Sequence, residues 1–153
     1  MANIRLSRLS AVLAALACLA ALSINANADI NSDKRISKAV RAVRDAKTQR
    51  AAFEAAKRLA DVVNKSDLAS VHDITIQALP SLLETKNDGV RFWVASALAC
   101  FGPRAKFAVP KLLEVLKESD CLRSDTSSSM PIRLALERIG VPVPPAQTCE
   151  HYN

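Results

Sequence analysis

Two pentapeptides thirty positions apart repeat one pattern: Leu79-Pro80-Ser81-Leu82-Leu83 and Val109-Pro110-Lys111-Leu112-Leu113. A unit recurring at such a spacing marks stacked helix pairs, because one pair cannot bury its apolar face alone. Folds of that kind present a surface to another macromolecule and rarely carry a catalytic centre. Composition agrees. Aromatics make up 4% of the chain and glycine occurs three times in 153 residues, which suits closely packed Ala, Leu and Val helices better than a sandwich or barrel. The expected fold is all-α.

The N-terminus has a different character. Met1 to Ser10 carries Arg5 and Arg8 and no acid, Ala11 to Leu22 is unbroken apolar sequence, and Ala26-Asn27-Ala28 follows as a small-x-small site. That is the layout of a secretory signal peptide. The apolar run falls short of the roughly 20 residues that cross a bilayer, so no stable membrane insertion is expected. Lipidation at Cys18 is disfavoured, since Ala15 stands where that pattern wants a large aliphatic residue. The expectation is export to the periplasm with cleavage after Ala28. Removing 28 of 153 residues leaves 125, and losing Arg5 and Arg8 without any acid lowers the net charge from +6 to +4. That excess is uneven: Lys34, Arg35, Lys38, Arg41, Arg44, Lys47 and Arg50 precede Ala51, against Asp29, Asp33 and Asp45. A solvated cationic face is the plain reading, and attraction to anionic headgroups or an acidic protein the sharper one. Nucleic acid is not an expected partner for an exported chain without aromatics to stack on bases.

Periodicity places the helices. Asn31, Ser32 or Asp33 can cap a first one, and Ile36, Val40, Val43, Phe53, Ala56, Ala60 and Val63 keep a helical spacing. Lys34 to Val63 therefore reads as one long helix or two broken near Lys47 to Gln49. Lys65-Ser66-Asp67 stops it. A second pattern runs from Leu68 to Leu83, bent by an interior Pro80. Lys86-Asn87-Asp88-Gly89 makes a turn, and Val90 to Phe101 is the most strongly patterned helix. Gly102-Pro103 forms a corner, and Arg104 to Lys117 pairs back with Phe107, Val109, Leu112, Leu113 and Leu116 inward. A Ser- and Asp-rich loop spans Glu118 to Ser129, and a last helix opens at Met130-Pro131 and closes at Gly140.

The run Asn87-Asp88-Gly89-Val90-Arg91-Phe92-Trp93-Val94-Ala95-Ser96-Ala97-Leu98, then Phe101-Gly102-Pro103, Ala108-Val109-Pro110 and Leu112-Leu113, resembles a HEAT-like repeat. The likeness extends over Asp67 to Gly140 and implies a short right-handed α-solenoid of HEAT- or armadillo-like hairpins. Residues 29–140 would form that domain and 141–153 a proline-rich tail. The resemblance also implies that Arg91 and Arg133, at the Val-Arg position, pair with acids across neighbouring repeats. Arg91 to Arg133 spans 42 residues where the pentapeptides give thirty, so an insertion falls between Ser119 and Met130. Insertions in repeat folds emerge as loops, often on the binding face.

Individual residues add little chemistry. His72 and His151 have no companions at metal-ligand spacing, and neither a phosphate-binding Gly-rich loop nor a Gly-x-Ser-x-Gly elbow occurs. No catalytic residue, cofactor or metal is expected. Cys100 reads as a small buried apolar group, and Trp93 as wedged between layers. Cys121 in the insertion and Cys149 in the tail are placed to meet in an oxidising compartment, closing a loop worth roughly 3 to 4 kcal/mol.

Size, export, helicity and a tail disulfide make the chain similar to periplasmic immunity proteins that neutralise peptidoglycan amidases delivered by type VI secretion. That likeness implies occlusion of the effector's cleft. The expected contacts are the inserted loop, Asp125, Thr126, Ser127, Ser128 and Ser129, with Arg104 and Arg123 beside it. A periplasmic scaffold or adaptor is the alternative, with homodimerisation through an open end of the stack. HEAT-like repeats also occur in phycobilin lyases, but export and the lack of an acid–base cluster argue against that activity. The cysteine reading predicts an intact mass about 2 Da below the reduced protein under non-reducing conditions; an unchanged mass would reject the bridge.

Overall fold

The computed structural model describes residues 31–120 and 127–146, and every regular element among them is helical. The long N-terminal pattern resolves into two helices, α1 over 31–44 and α2, Gln49–Asn64. The break falls where the sequence placed it, because the Thr48 side chain caps α2 by accepting from Ala51 N–H at 3.2 Å. The proposed caps of α1 do not act as caps. Residues 31–33 are already helical, and the Asp33 carboxylate instead accepts from His72 N–H at 3.1 Å.

The expected helix from Leu68 to Leu83 does not form as one piece. Leu68–Ser70 is a 3₁₀ turn, α3 is Asp73–Gln77, and Pro80–Glu84 is again 3₁₀. Pro80 offers no N–H and its ring opposes the carbonyl four residues earlier. The chain meets this with i→i+3 bonds, Leu79 N–H to Ile76 O and Leu82 N–H to Leu79 O, both at 3.0 Å. Pro110 causes a parallel switch. The expected helix from Arg104 becomes a 3₁₀ segment, Gly102–Ala108, followed by α5, Val109–Ser119. Phe107, assigned inward, lies on that tighter spiral and is 39% exposed. The echoed pentapeptides thus differ in backbone yet share a packing role, with Leu82 and Leu112 both buried.

Helix α4, Asp88–Phe101, is the centre of the molecule. It packs against α2 on one side and α6, Ser129–Ile139, on the other. Pro80–Glu84 and the Gly102–Ala108 segment close over it, and α5 packs on Pro80–Glu84 and α6. Val94, Ala95, Ala97 and Leu98 are fully buried, and each Val or Leu so buried contributes roughly 1.5 to 3 kcal/mol. Asn87 ties the starts of α2 and α4 together: its side chain accepts from Val90 N–H at 3.2 Å and donates to Gln49 O at 3.1 Å. Gly102, at φ +53°, turns the chain out of α4 in a conformation that disfavours any side chain. After α6, Val141 N–H reaches Leu136 O and Gly140 N–H reaches Glu137 O, each at 3.0 Å. Gly140 is left-handed there, as a Schellman ending requires. Residues 141–146 continue without helix, with Val141 and Val143 packed on the core.

Contact between α2 and α4 depends on the absence of a side chain at Gly89, where a Cβ would lie 2.6 and 2.8 Å from ring carbons of Phe53. Gly89→Ala is expected to cost about 1 to 3 kcal/mol in denaturant unfolding. In a Phe53→Ala background the same change should cost almost nothing further; equal costs in both backgrounds would show that the ring is not the obstacle.

Candidate functional site

The end of α5 and the start of α6 are joined by a hydroxyl–carboxylate clasp whose serines are buried and whose aspartate is half-buried. Asp88, in the first turn of α4, accepts from Ser128 Oγ at 2.5 Å and from Ser128 N–H at 2.9 Å. Ser119 Oγ, at the end of α5, lies 2.6 Å from Ser128 Oγ and 3.4 Å from Asp88 Oδ1. Both serines are fully buried. Ser127 Oγ donates to Ser119 O at 3.1 Å, and Ser129 N–H donates to Ser127 Oγ at 3.3 Å. The neighbouring Asp120 pairs with Arg133 Nη2 at 2.6 Å, while Arg133 Nη1 donates to Pro144 O at 2.5 Å. One arginine on α6 therefore holds the end of α5 and the start of the tail. Of the expected contact residues, Ser127, Ser128 and Ser129 form the root of the inserted segment with their hydroxyls turned into the clasp. Arg123, Asp125 and Thr126 lie outside the described residues, as do Cys121, Cys149 and the expected leader with its cleavage site.

Arg104 is committed to the fold. Its guanidinium donates to Leu68 O at 2.5 Å, to Val71 O, and to Asp73 Oδ1 at 2.6 Å. It thus fastens the bend before α3, where carbonyls left free by the broken helix need donors. Arg91 is buried. Its Nε donates to Leu83 O at 3.2 Å and its Nη2 meets Glu118 at 2.8 Å. Arg91 and Arg133 share a geometry: each stands in the first turns of its helix and reaches back to the end of the preceding segment. Every buried side-chain nitrogen and oxygen among the described residues has a partner.

The N-terminal cations behave differently. Lys34, Arg35, Lys38, Arg41 and Arg44 are exposed along α1, opposite buried Ile36, Val40 and Val43. The ion pairs among the described residues join Arg91, Arg104, Lys111, Arg133 and His72 to acids, and use none of the α1 cations. Shallow grooves flank the helix. One of about 270 Å³ lies against α2, between Arg35, Lys38 and Arg58. Another, about 300 Å³, lies against α3 beside Arg41, Arg44 and Ile74. Helix α1 is latched to α3 by Ser37 and Thr75 hydroxyls 3.4 Å apart and by His72 Nδ1 at 3.3 Å from Asp33. Burial pushes the Asp33 carboxyl up, but hydrogen bonds from Thr75 and His72 outweigh it and hold the group below its ordinary value.

The remaining candidates are structural. Trp93 is half-buried, meets Phe92 edge-on at 5.1 Å and packs against the core. Cys100 is half-buried and a free thiol, 3.5 Å from Ser96 O. Burial raises its pKa against the opposing charge of Arg138, which leaves little thiolate to react. Among the described residues no group of His, Cys, Asp and Glu gathers at metal-binding range, and no helix is long and apolar enough to cross a membrane. No protein-family model matches the chain, and comparisons with curated proteins and with solved structures return no match.

Removing the Asp88 carboxylate would leave the buried Ser128 hydroxyl and the Ser128 N–H without their acceptor. Asp88→Ala is expected to lower stability by about 2 to 4 kcal/mol, with partial recovery in Asp88→Asn, whose amide oxygen still accepts. Urea unfolding measures both, and a near-neutral Asp88→Ala would mean the clasp is not holding α5 to α6.

Proposed function

We propose that this chain is an exported, non-catalytic protein-binding module, and that it serves as a periplasmic immunity protein occluding a secreted peptidoglycan amidase. The carrying observation is the clasp. Asp88 and Arg133 hold the residues on either side of 121–126, Ser119 and Asp120 before it and Ser128 after it, against three helices, which supports the reading that Arg123, Asp125 and Thr126 make the contact. A loop held this way loses less entropy on docking than one on a loose base. An interface of roughly 1,600 Å² would suffice for tight inhibition, and a tail bridged through Cys121 and Cys149 would brace the same edge. The side-by-side order of α2, α4 and α6, with the reach-back of Arg91 and Arg133, supports a HEAT-like stack beneath it. A scaffold role is the second reading. It is favoured by Met130 and Leu134, exposed four residues apart on α6, which give that end of the stack an apolar face.

The test is co-expression with an exported amidase encoded beside its gene, followed by purification and activity assay. A stoichiometric complex with silenced amidase is expected. A double change, Arg123→Glu with Asp125→Arg, should weaken it by about 100-fold through faster dissociation while helicity stays unchanged. Absence of any complex rejects inhibition, and a complex indifferent to the double change moves the contact away from the insertion.

A further inference from the structure

We propose that the outer face of α1 is a docking surface for a bilayer of anionic phospholipid. Lys34, Lys38 and Arg41 follow one another along the crest of the helix, directly opposite the buried Ile36, Val40 and Val43. Arg35 widens the crest toward α2 and Arg44 widens it toward α3, where each borders a groove. The nearby acids do little to neutralise it. Asp33 is turned to the His72 backbone and ring, which leaves, among the described residues of α1 and the turn after it, exposed Asp45 at the far end of the helix.

Two further features select a membrane over an acidic protein. Ile74 is 73% exposed in the groove beside Arg41 and Arg44. A large apolar side chain next to clustered cations suits a headgroup–acyl boundary, where charge is attracted and the aliphatic group inserts. A convex row of long, rotatable cations matches a fluid plane of headgroups better than a fixed acidic partner. Orientation follows. With α1 down on the lipid, the clasp at the opposite end of the helix order is not consumed by the contact.

Vesicle co-sedimentation of the full chain tests this, using phosphatidylcholine alone and phosphatidylcholine with about 30% phosphatidylglycerol. Binding is expected to be much stronger to the anionic vesicles than to the neutral ones, and that excess to be lost in about 0.5 M salt. Each headgroup-facing cation contributes about five-fold to partitioning, so Lys34→Gln, Lys38→Gln and Arg41→Gln together should lower it on the order of 100-fold. A control that removes equal charge elsewhere, Lys86→Gln, Lys106→Gln and Lys117→Gln, should lower it far less. Ile74→Ser should cost several-fold, in a step that salt does not reverse. All variants carry the same residues 1–30, so any contribution of the apolar leader cancels, and the substituted side chains are exposed, so helicity should be unchanged. Equal binding to neutral vesicles, equal losses in the two triple variants, or polyglutamate bound as tightly as the vesicles would each overturn the proposal.

Discussion

Helix α4 is enclosed by α2 and α6 and roofed by two 3₁₀ segments, and the rest of the structure is arranged to make that enclosure possible. A helix apolar on most of its circumference cannot stand at a surface. Its alanines, Ala95, Ala97 and Ala99, are at most 3% exposed and let neighbours approach closely. Gly89 does the same where α4 meets Phe53. Close approach has a consequence for polar groups: anything caught at the seam must be satisfied within the fold, because water cannot reach it.

The polar residues at the seam are accordingly few and fully engaged. Arg91 enters the core with its charge, which would be strongly destabilising unpaired, and is met by a carbonyl of the preceding segment and a carboxylate of the following helix. Asp88 is met by two hydroxyls and an N–H. The Asp88 contacts join segments about thirty to forty residues apart, so they fix which helix lies against which more than they add net stability. Apolar packing is tolerant of sliding, whereas a carboxylate with three donors has one register.

What the sequence disclosed and what it hid divide along the same line. The break at Thr48, the turn at Asn87, the corner at Gly102-Pro103 and the stop at Gly140 were legible because each is written in one or two residues acting on their own backbone. The 3₁₀ character of Pro80–Glu84 and Gly102–Ala108 was not, since apolar spacing over so few residues does not separate three residues per turn from 3.6. Phe107 was misassigned for that reason. The Asp88 clasp, the grip of Arg104 on Leu68, Val71 and Asp73, and the Gly89–Phe53 contact were hidden because each depends on a partner supplied by another helix. A serine-rich stretch looks like a loose loop in sequence, and only the carboxylate brought alongside by α4 and the Ser119 carbonyl at the end of α5 turn Ser128 and Ser127 into an anchor.

The same division sorts the charges by use. Arg91, Arg104 and Arg133 each pair with a carboxylate and also donate to a backbone carbonyl; they act as struts and project little field into solvent. The cations of α1 keep theirs. A field from several unpaired cations extends roughly 8 to 10 Å at ordinary ionic strength, so it acts on an approaching body before any side chain touches it. A surface that attracts at a distance without fixed partners and an edge built from pinned stereospecific contacts lie at opposite ends of the helix order, so use of one leaves the other free. The +4 balance expected of residues 29–153 therefore understates the asymmetry of the molecule, because the charge that matters to a partner is the part that the fold has left unspent.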